Sequence, residues 1–187
     1  MGKRATDLIF AILGFSLFLI PGMLIALLIK FSSEGPIIHW SRRAGVNDDL
    51  FSMPKFRTMY LETPDLATDK LKNSENYVTP LGKVLRKTSL DEVPQLFSVL
   101  LGQMSIVGPR PALHNQFELI RKRKDIGINK LKPGITGWAQ VNGRDVIDEK
   151  TKVAFDREYL ENTGFVFDLK IIYQTVFTIF QSKNVSH

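Results

Sequence analysis

A long apolar stretch near the start of the chain constrains the fold most. Residues Ala5 to Ile29 contain only one charged side chain, Asp7. As a straight helix, this 25-residue stretch would be about 37 Å long, and a hydrocarbon core is about 30 Å thick. We therefore expect residues 1–30 to form a membrane-inserted unit and residues 31–187 to form one domain outside the hydrocarbon core.

Pro21 indicates that this helix does not cross the membrane in one straight pass. A proline inside a helix removes the hydrogen bond to the carbonyl four residues earlier, here that of Leu17, and clashes with the preceding turn. The part before the proline, Ala5 to Ile20, would be only about 24 Å long, too short to cross. Basic residues flank the stretch at both ends, and positive charge favours the cytoplasmic side. We predict a re-entrant helix with a break at Pro21.

Two other interpretations of this segment compete. A cleaved signal peptide has a shorter apolar region and small residues at its cleavage site, whereas Lys30 and Phe31 follow here. A straight, proline-kinked single pass is the stronger alternative, because membranes tolerate such prolines. The sequence leaves the bent and the straight form open.

Composition limits the chemistry of the rest of the chain. The sequence has no Cys, which excludes disulfides, thiolate zinc sites and a Cys nucleophile. Its three His residues are scattered, so any metal should be a hard ion held by oxygen. The net charge of +6 predicts a polyanionic partner. The membrane segment favours anionic lipid or a phosphorylated substrate over nucleic acid.

The pattern after Lys30 predicts an α+β fold, mainly helical with a few short strands. Two short strands, 37–40 and 50–56, flank a polar turn at 45–49. The expected helices are 84–87, 92–101, 116–124, 152–160 and 169–180, with a polar loop at 64–76 and a glycine-rich loop at 132–144. The last helix is apolar on one side, which predicts an interfacial amphipathic helix, and a core helix has the same pattern.

Two adjacent carboxylates occur in the run Ser89-Leu90-Asp91-Glu92-Val93-Pro94-Gln95-Leu96, at the predicted start of a helix. Unpaired N–H groups in a first helical turn stabilise an ionised carboxylate by roughly 0.3 to 1 kcal/mol. An acid that stays ionised at neutral pH can act as a base or a nucleophile. A capping box of Ser89 with Glu92 explains the same pattern without any chemistry.

Four further clusters carry groups suited to phosphates or nucleotides. Lys55 and Arg57 occupy alternate positions, hence the same side of a strand. Arg110 lies between two prolines, which suits bidentate contact with a phosphate. The loop at 131–144 offers backbone N–H, hydroxyl, amide and guanidinium groups, and Asp168 opens the last helix. Taken singly, each cluster is equally explained by a solvated strand end or an ordinary turn.

Taken together, the motifs resemble those of the bacterial sugar transferase family, the monotopic phosphoglycosyl transferases. The matching segments are Lys55 to Met59, Ser89 to Leu96, Gly108 to Pro111, Pro133 to Gly137 and Val141 to Arg144. Their order and the apolar N-terminus agree, and the likeness to the small form of the family covers nearly the whole chain. One departure is Ile20, because the family commonly has a serine before the membrane proline. A serine hydroxyl could satisfy a freed carbonyl, so isoleucine favours a straighter helix.

The resemblance implies an enzyme on the cytoplasmic face of the bacterial inner membrane. Such an enzyme moves a sugar phosphate from a UDP-sugar to polyprenyl (undecaprenyl) phosphate, releases UMP and initiates glycan assembly, as for exopolysaccharide or lipopolysaccharide. Asp91 is implied as the nucleophile of a covalent aspartyl phosphosugar, and Glu92 and Asp168 as ligands of the family's Mg²⁺ cofactor. The implied partners are membrane lipids and later enzymes of the same glycan pathway, with no nucleic acid.

Six residues are predicted to contact the donor by their position: Lys55, Arg86 and Arg110 at the phosphates, and Gly134, Thr136 and Arg144 at the nucleotide. Two non-catalytic hypotheses compete with this one. The chain could be a membrane-anchored module that binds anionic lipid or nucleotide, or a structural subunit that docks through its late apolar helix. The sequence leaves the sugar open, because sugar selectivity depends on pocket shape and a few hydrogen bonds.

Overall fold

The computed structural model describes residues 2–64, 66, 73–143 and 147–181. The helices are α1 (Lys3–Ser32), α2 (Pro80–Thr88), α3 (Gln95–Leu100), α4 (Phe117–Asp125), α5 (Trp138–Val141), α6 (Glu149–Glu161) and α7 (Phe165–Gln181). The strands are β1 (Ile38–Ala44), β2 (Leu50–Phe56), β3 (Ser105–Val107) and β4 (Gly134–Thr136). The predicted α+β class with mainly helical content is confirmed.

Helix α1 packs one face on the rest of the chain over most of its length. Near its start, Ala11 is buried in a core cluster with residues of β2 and α3. Near its end, Ile25 and Ile29 are buried in a second cluster with residues of β2 and α2. Between these clusters, a Cβ added at Gly14 would lie 3.0 Å from Leu96. The helix is therefore part of the domain's core rather than a detached anchor.

The opposite face of α1 exposes large apolar side chains. Leu17 is 70% exposed and Ile20 is 68% exposed. An apolar stripe of this size is unfavourable in water, at about 25 cal/mol per Å² of apolar surface. Among the described residues, α1 is the single helix that is long and apolar enough to cross a membrane. It is the candidate membrane segment that the sequence predicted.

Helical conformation continues through Pro21. A proline can bend a helix without ending it, because only one hydrogen bond and one steric contact are affected. The re-entrant course therefore stays a prediction. The expected boundary after residue 30 falls in the last turn of α1, which ends at Ser32.

Strands β1 and β2 form the predicted antiparallel hairpin. Its register places His39 opposite Lys55 and Ala44 opposite Leu50. Strand β1 runs four residues beyond the predicted end, because pairing with β2 continues past the apolar residues. This hairpin brings Lys55 to the side of the domain where the acidic pair lies.

The glycine-rich segment forms regular structure where the sequence predicted a loop. Strand β4 pairs in parallel with β3, and α5 follows it directly. The backbones meet closely, since a Cβ on Gly134 would lie 2.1 Å from the amide nitrogen of Gly108. The loop prediction was wrong because such short strands depend on tertiary pairing, which local propensity does not encode.

Helices α6 and α7 cover this second sheet. Val107, Trp138, Tyr159 and Ile171 form the third core cluster. On its other side, α7 exposes apolar side chains, including Tyr173 at 72%. The core interpretation of the last helix is confirmed. Its position at a membrane interface stays a prediction, which its exposed apolar face suits.

Gly134→Ala should destabilise the fold by about 1 to 3 kcal/mol, because the new methyl group meets backbone atoms that cannot rotate away. For a chain of this size, the loss corresponds to a melting temperature lower by about 2 to 12 °C. Thermal unfolding in detergent measures it. Gly164→Ala is the control, because the nearest atom to its Cβ is 3.9 Å away. Equal melting temperatures for both variants would contradict the close contact.

Candidate active site

A cavity of about 1030 Å³ lies between the hairpin, α2, the segment after α2, the loop after β3, and α7. Phe18 of α1 also lines it, so the cavity reaches the apolar helix. Seven of its lining residues are Lys or Arg, and among the described residues that line it only Asp91 and Glu92 are acidic. The excess of positive charge suits a polyanionic ligand.

Asp91 and Glu92 lie in a single 3₁₀ turn, Leu90–Glu92, between α2 and α3. Ser89 ends α2 in a left-handed conformation with φ of 57° and redirects the chain into this turn. Helix α3 begins only at Gln95. The predicted helix start at residue 92 was therefore wrong, and the acids precede α3 instead of occupying its first turn.

The capping-box interpretation of this run is also wrong. In a capping box, the side chain of Glu92 would accept from the backbone N–H of Ser89. The Ser89 N–H instead donates to the carbonyl of Arg86 at 3.2 Å. The Glu92 carboxylate faces two cations across the cavity. The acidic pair therefore lines the cavity rather than capping the start of a helix.

Glu92 joins two predicted phosphate contacts. Its Oε1 accepts from Arg110 at 2.8 Å and from Lys55 at 3.4 Å. Burial alone would raise the pKa of Glu92, but the charges and hydrogen bonds of Arg110 and Lys55 lower it to about 2. Glu92 is therefore a permanent anion at neutral pH.

Asp91 has the opposite electrostatic character. Its side chain belongs to a residue that is only 6% exposed. Burial raises the pKa of Asp91 to about 6, and the charge of Lys55 counteracts part of this effect while that of Glu92 adds to it. The sequence predicted that a helix terminus would lower the pKa of Asp91, and this direction was wrong. Two neighbouring carboxylates with pKa values shifted apart are typical of sites with separate chemical roles.

Lys55 is surrounded by other cations as well as the acids. Burial lowers its pKa, the charge of Glu92 raises it, and Arg110 and Arg43 lower it further. An ammonium group placed among arginines gains stability from each negative charge added nearby. An anionic ligand would therefore be attracted to this part of the cavity.

A buried ion pair behind Arg110 supports its backbone. The Arg110 carbonyl accepts from Arg123 at 2.7 Å. Arg123 in turn donates to Asp156 at 2.6 and 2.9 Å, and both partners of this pair are buried. Neither residue was predicted from the sequence, because Arg123 belongs to a helix rich in basic residues and Asp156 is 33 residues away.

Arg86 and Arg57 also line the cavity. Arg86 contacts Met59 at 3.4 Å and lowers the pKa of Asp91 by its charge, after the larger effects of burial and Lys55. Arg57 instead donates to the carbonyls of Glu34 and Ser33, just after α1. Of the two cations predicted to share one side, Lys55 faces the acids and Arg57 fastens the end of α1.

The remaining predicted site residues lie in different parts of the structure. Thr136 lines the cavity, whereas Gly134 is held in the sheet by close backbone contact. Asp168 binds Lys3 at 2.6 Å and Tyr159 at 2.8 Å, and it is not among the described residues that line the cavity. Arg144 lies outside the described residues. The structure thus does not bring Asp168 together with Glu92.

Other lining residues were not predicted from the sequence. They are His39 and Arg43 of β1, and Thr175 and Thr178 of α7. His39 could have been found from the hairpin register, because it lies opposite Lys55. The residues on α7 carry no local signal, since only the packing of distant segments brings them to the cavity. Gln140 of α5, which also lines the cavity, belongs to the predicted cluster at 131–144.

These features define a domain with one candidate membrane helix and a cationic cavity around a buried carboxylate. Residues 1–182 match the model of a protein family described as bacterial sugar transferase. The chain belongs to the bacterial sugar transferase family, as its motifs predicted.

Named relatives agree with this membership. The chain is 38% identical to the exopolysaccharide production protein ExoY of Rhizobium meliloti, over 94% of this chain and 84% of that protein. It is 42% identical to the UDP-glucose:undecaprenyl-phosphate glucose-1-phosphate transferase of Escherichia coli, over 97% of this chain but 40% of that protein. It is 37% identical to the undecaprenyl-phosphate galactose phosphotransferase of Salmonella typhimurium, over 92% of this chain and 39% of that protein.

The Asp91 carboxyl should titrate with a pKa of about 6. Carbon-13 NMR of labelled Asp carboxyls measures it, and the Asp91→Asn spectrum assigns the signal. Lys55→Met should raise this pKa further, because it removes the largest stabilising charge. Lys83→Met, an exposed change on α2, should leave it unchanged. A pKa near the ordinary 3.8 would show that burial does not control this carboxyl.

Proposed function

We propose that the chain transfers a sugar phosphate from a UDP-sugar to polyprenyl phosphate through a covalent intermediate on Asp91, with release of UMP. The observation that carries this proposal is the buried Asp91 carboxylate in a cavity whose other charged groups are Glu92 and cations. The family membership and the substrates in the relatives' names support the same reaction.

The electrostatics suit an anionic donor. Lys55 and Arg110 reach the cavity from separate segments and already share one carboxylate oxygen. The diphosphate of a UDP-sugar carries negative charge that these cations can bind by charge-assisted hydrogen bonds. Their positive charge also lowers the repulsion between a phosphate and an attacking carboxylate.

In the first step, a carboxylate oxygen of Asp91 attacks the phosphorus that carries the sugar. A new bond forms between this oxygen and the phosphorus, and the bond from phosphorus to the bridging oxygen breaks. UMP leaves with that electron pair. At pH 7, an acid with a pKa of about 6 is roughly nine-tenths ionised, so Asp91 needs no separate base.

In the second step, a phosphate oxygen of polyprenyl phosphate attacks the same phosphorus. The bond to Asp91 breaks and the free carboxylate returns. The product is a polyprenyl diphosphate sugar. Because the cavity reaches Phe18 on the exposed apolar helix, a lipid phosphate can approach from the membrane side.

Magnesium fits this site through Glu92 rather than through Asp168. Mg²⁺ in proteins is commonly held by one or two carboxylates together with substrate phosphates and water. Lys55 and Arg110 both contact Oε1 of Glu92, so neither of these two bonds uses Oε2. The described residues contain no group of three or more His, Cys, Asp or Glu side chains suited to a metal. A bound Mg²⁺ would neutralise charge on the diphosphate.

Asp91→Asn should lower UMP release from a UDP-sugar by about 10³-fold or more, because the amide oxygen is a poor nucleophile. Mass spectrometry should also detect a hexose phosphate adduct on the wild-type chain without acceptor, and none on the variant. Asp125→Asn is the control, since this carboxylate is exposed on α4. Normal UMP release by Asp91→Asn would refute the nucleophile assignment.

We further propose that α1 is re-entrant and that the domain lies on the cytoplasmic face. Both ends of α1 are fastened to the same polar domain. Near the start, Arg4 donates to two carbonyls of α3 at 2.6 and 2.8 Å. Near the end, Ile29 is buried and Arg57 holds the following carbonyls. A transmembrane course would place one end across the membrane from the domain that holds it.

Cysteine labelling tests this topology, because the natural chain has no Cys. Gly2→Cys and Arg121→Cys mark the start of α1 and the exposed face of α4. In right-side-out vesicles, both should react with a permeant maleimide and neither with an impermeant one. Reaction of Gly2→Cys alone with the impermeant reagent would support the straight single-pass alternative.

A further inference from the structure

The cavity has a second region, in which the described hydrogen bonds involve no Lys or Arg side chain. Thr136 of β4 and Thr175 of α7 both line it, and Gln140 of α5 lines it beside them. These side chains are neutral, unlike the region around Asp91. Neutral hydroxyl and amide groups bind a phosphate less strongly than Lys or Arg does, because their hydrogen bonds lack the contribution of a positive charge.

The direction of the hydroxyl hydrogen bonds at this place can be deduced. The Thr175 hydroxyl donates its single proton to the carbonyl of Ile171 at 2.7 Å. The two threonine oxygens are also 2.7 Å apart. Because the Thr175 proton is already used, Thr136 must donate in this second bond. The Thr136 oxygen therefore retains lone pairs and can only accept from a ligand.

Gln140 adds a second acceptor. Its amide nitrogen donates to the carbonyl of Ile135 at 3.4 Å, and a carbonyl cannot donate in return. This fixes the orientation of the amide. Its Oε1 is buried and has no hydrogen-bond partner among the described residues. This oxygen is closed to solvent, so a ligand donor would reach it only after the side chain rotates toward the cavity. Because a buried acceptor without a partner costs free energy, such a rotation toward a donor would be favourable.

We infer that Thr136 and Gln140 form a hydrogen-bond acceptor subsite that binds an N–H or O–H donor of the UDP-sugar, and that Thr175 orients Thr136. The inference rests on the proposed function for the identity of the ligand. The donors of suitable chemistry are the N3–H of uracil, the hydroxyl groups of the ribose and the hydroxyl groups of the transferred sugar. Phosphate oxygens only accept, so this subsite excludes them and the cationic region receives them. The two regions together set the direction in which the donor lies.

Binding measurements on the full chain in detergent test the subsite without requiring turnover. The probes are UDP, UDP-glucose, UDP-galactose, N3-methyl-UDP and inorganic pyrophosphate. Thr136→Val should weaken binding of the UDP-sugars by about 3- to 10-fold, the range for one lost hydrogen bond. Pyrophosphate, which lacks a donor group of this kind, should bind both proteins equally.

The probes distinguish the three sources of the donor. If the donor is uracil N3–H, Thr136→Val weakens binding of UDP and the UDP-sugars alike and leaves binding of N3-methyl-UDP unchanged. If the donor is a ribose hydroxyl, the variant weakens binding of N3-methyl-UDP as well. If the donor is a hydroxyl of the transferred sugar, it weakens binding of at least one UDP-sugar and leaves that of UDP unchanged. Each of these patterns supports the subsite. Unchanged binding of every uridine probe, or an equal loss for pyrophosphate, would overturn it.

Thr175 provides the second test. Thr175→Val should weaken binding of the same probes as Thr136→Val. Thr175→Ser should bind them as the wild type does, because the serine hydroxyl keeps both hydrogen bonds. Thr163→Val is the control, since Thr163 is exposed, is not among the described residues that line the cavity, and its hydroxyl donates to the carbonyl of Leu160 at 3.4 Å. Equal losses for Thr175→Val and Thr163→Val would overturn the orienting role. The expected binding pattern without UMP release would refute the proposed reaction and leave the subsite intact.

Discussion

The structure depends on helix α1, which has one apolar face buried in the domain and another that is exposed. Helix α1 contributes Ala11 to one core cluster and Ile25 and Ile29 to another, while its opposite face exposes residues such as Leu17. The domain cannot close these two clusters without the helix. The exposed face, in turn, is unfavourable in water. The apolar surface offered to a membrane and the completion of the core are therefore coupled, because one helix supplies both surfaces.

The acidic pair shows how contacts with cations separate the pKa values of two buried, neighbouring carboxylates. Glu92 shares one oxygen between Lys55 and Arg110, so its negative charge is fixed and helps to hold separate segments together. Asp91 is also buried, and burial raises its pKa to about 6. A nucleophile gains from this arrangement, since a less stabilised carboxylate is more reactive once it is ionised. The cations still keep it mainly ionised at neutral pH.

The sequence was sufficient for features with a local pattern. The length and composition of α1, the hairpin and the acidic pair follow from residues close together in the chain. The supporting pair of Arg123 and Asp156 could not be predicted, because it depends on how α4 packs on α6. The shift in the pKa of Asp91 was predicted in the wrong direction. A one-turn 3₁₀ segment has little helix dipole, and the effect of burial on the pKa is larger.

Asp7 has a consequence for the order of events during synthesis. This charged residue of α1 is 4% exposed, and its carboxylate accepts from the hydroxyl of Ser105 and the backbone N–H of Ile106. Those partners are 98 and 99 residues later in the chain. At ordinary rates of translation, they leave the ribosome about 5 to 20 s after α1. If the helix meets a membrane during this interval, the unpaired charge of Asp7 would oppose deep insertion of its first turns.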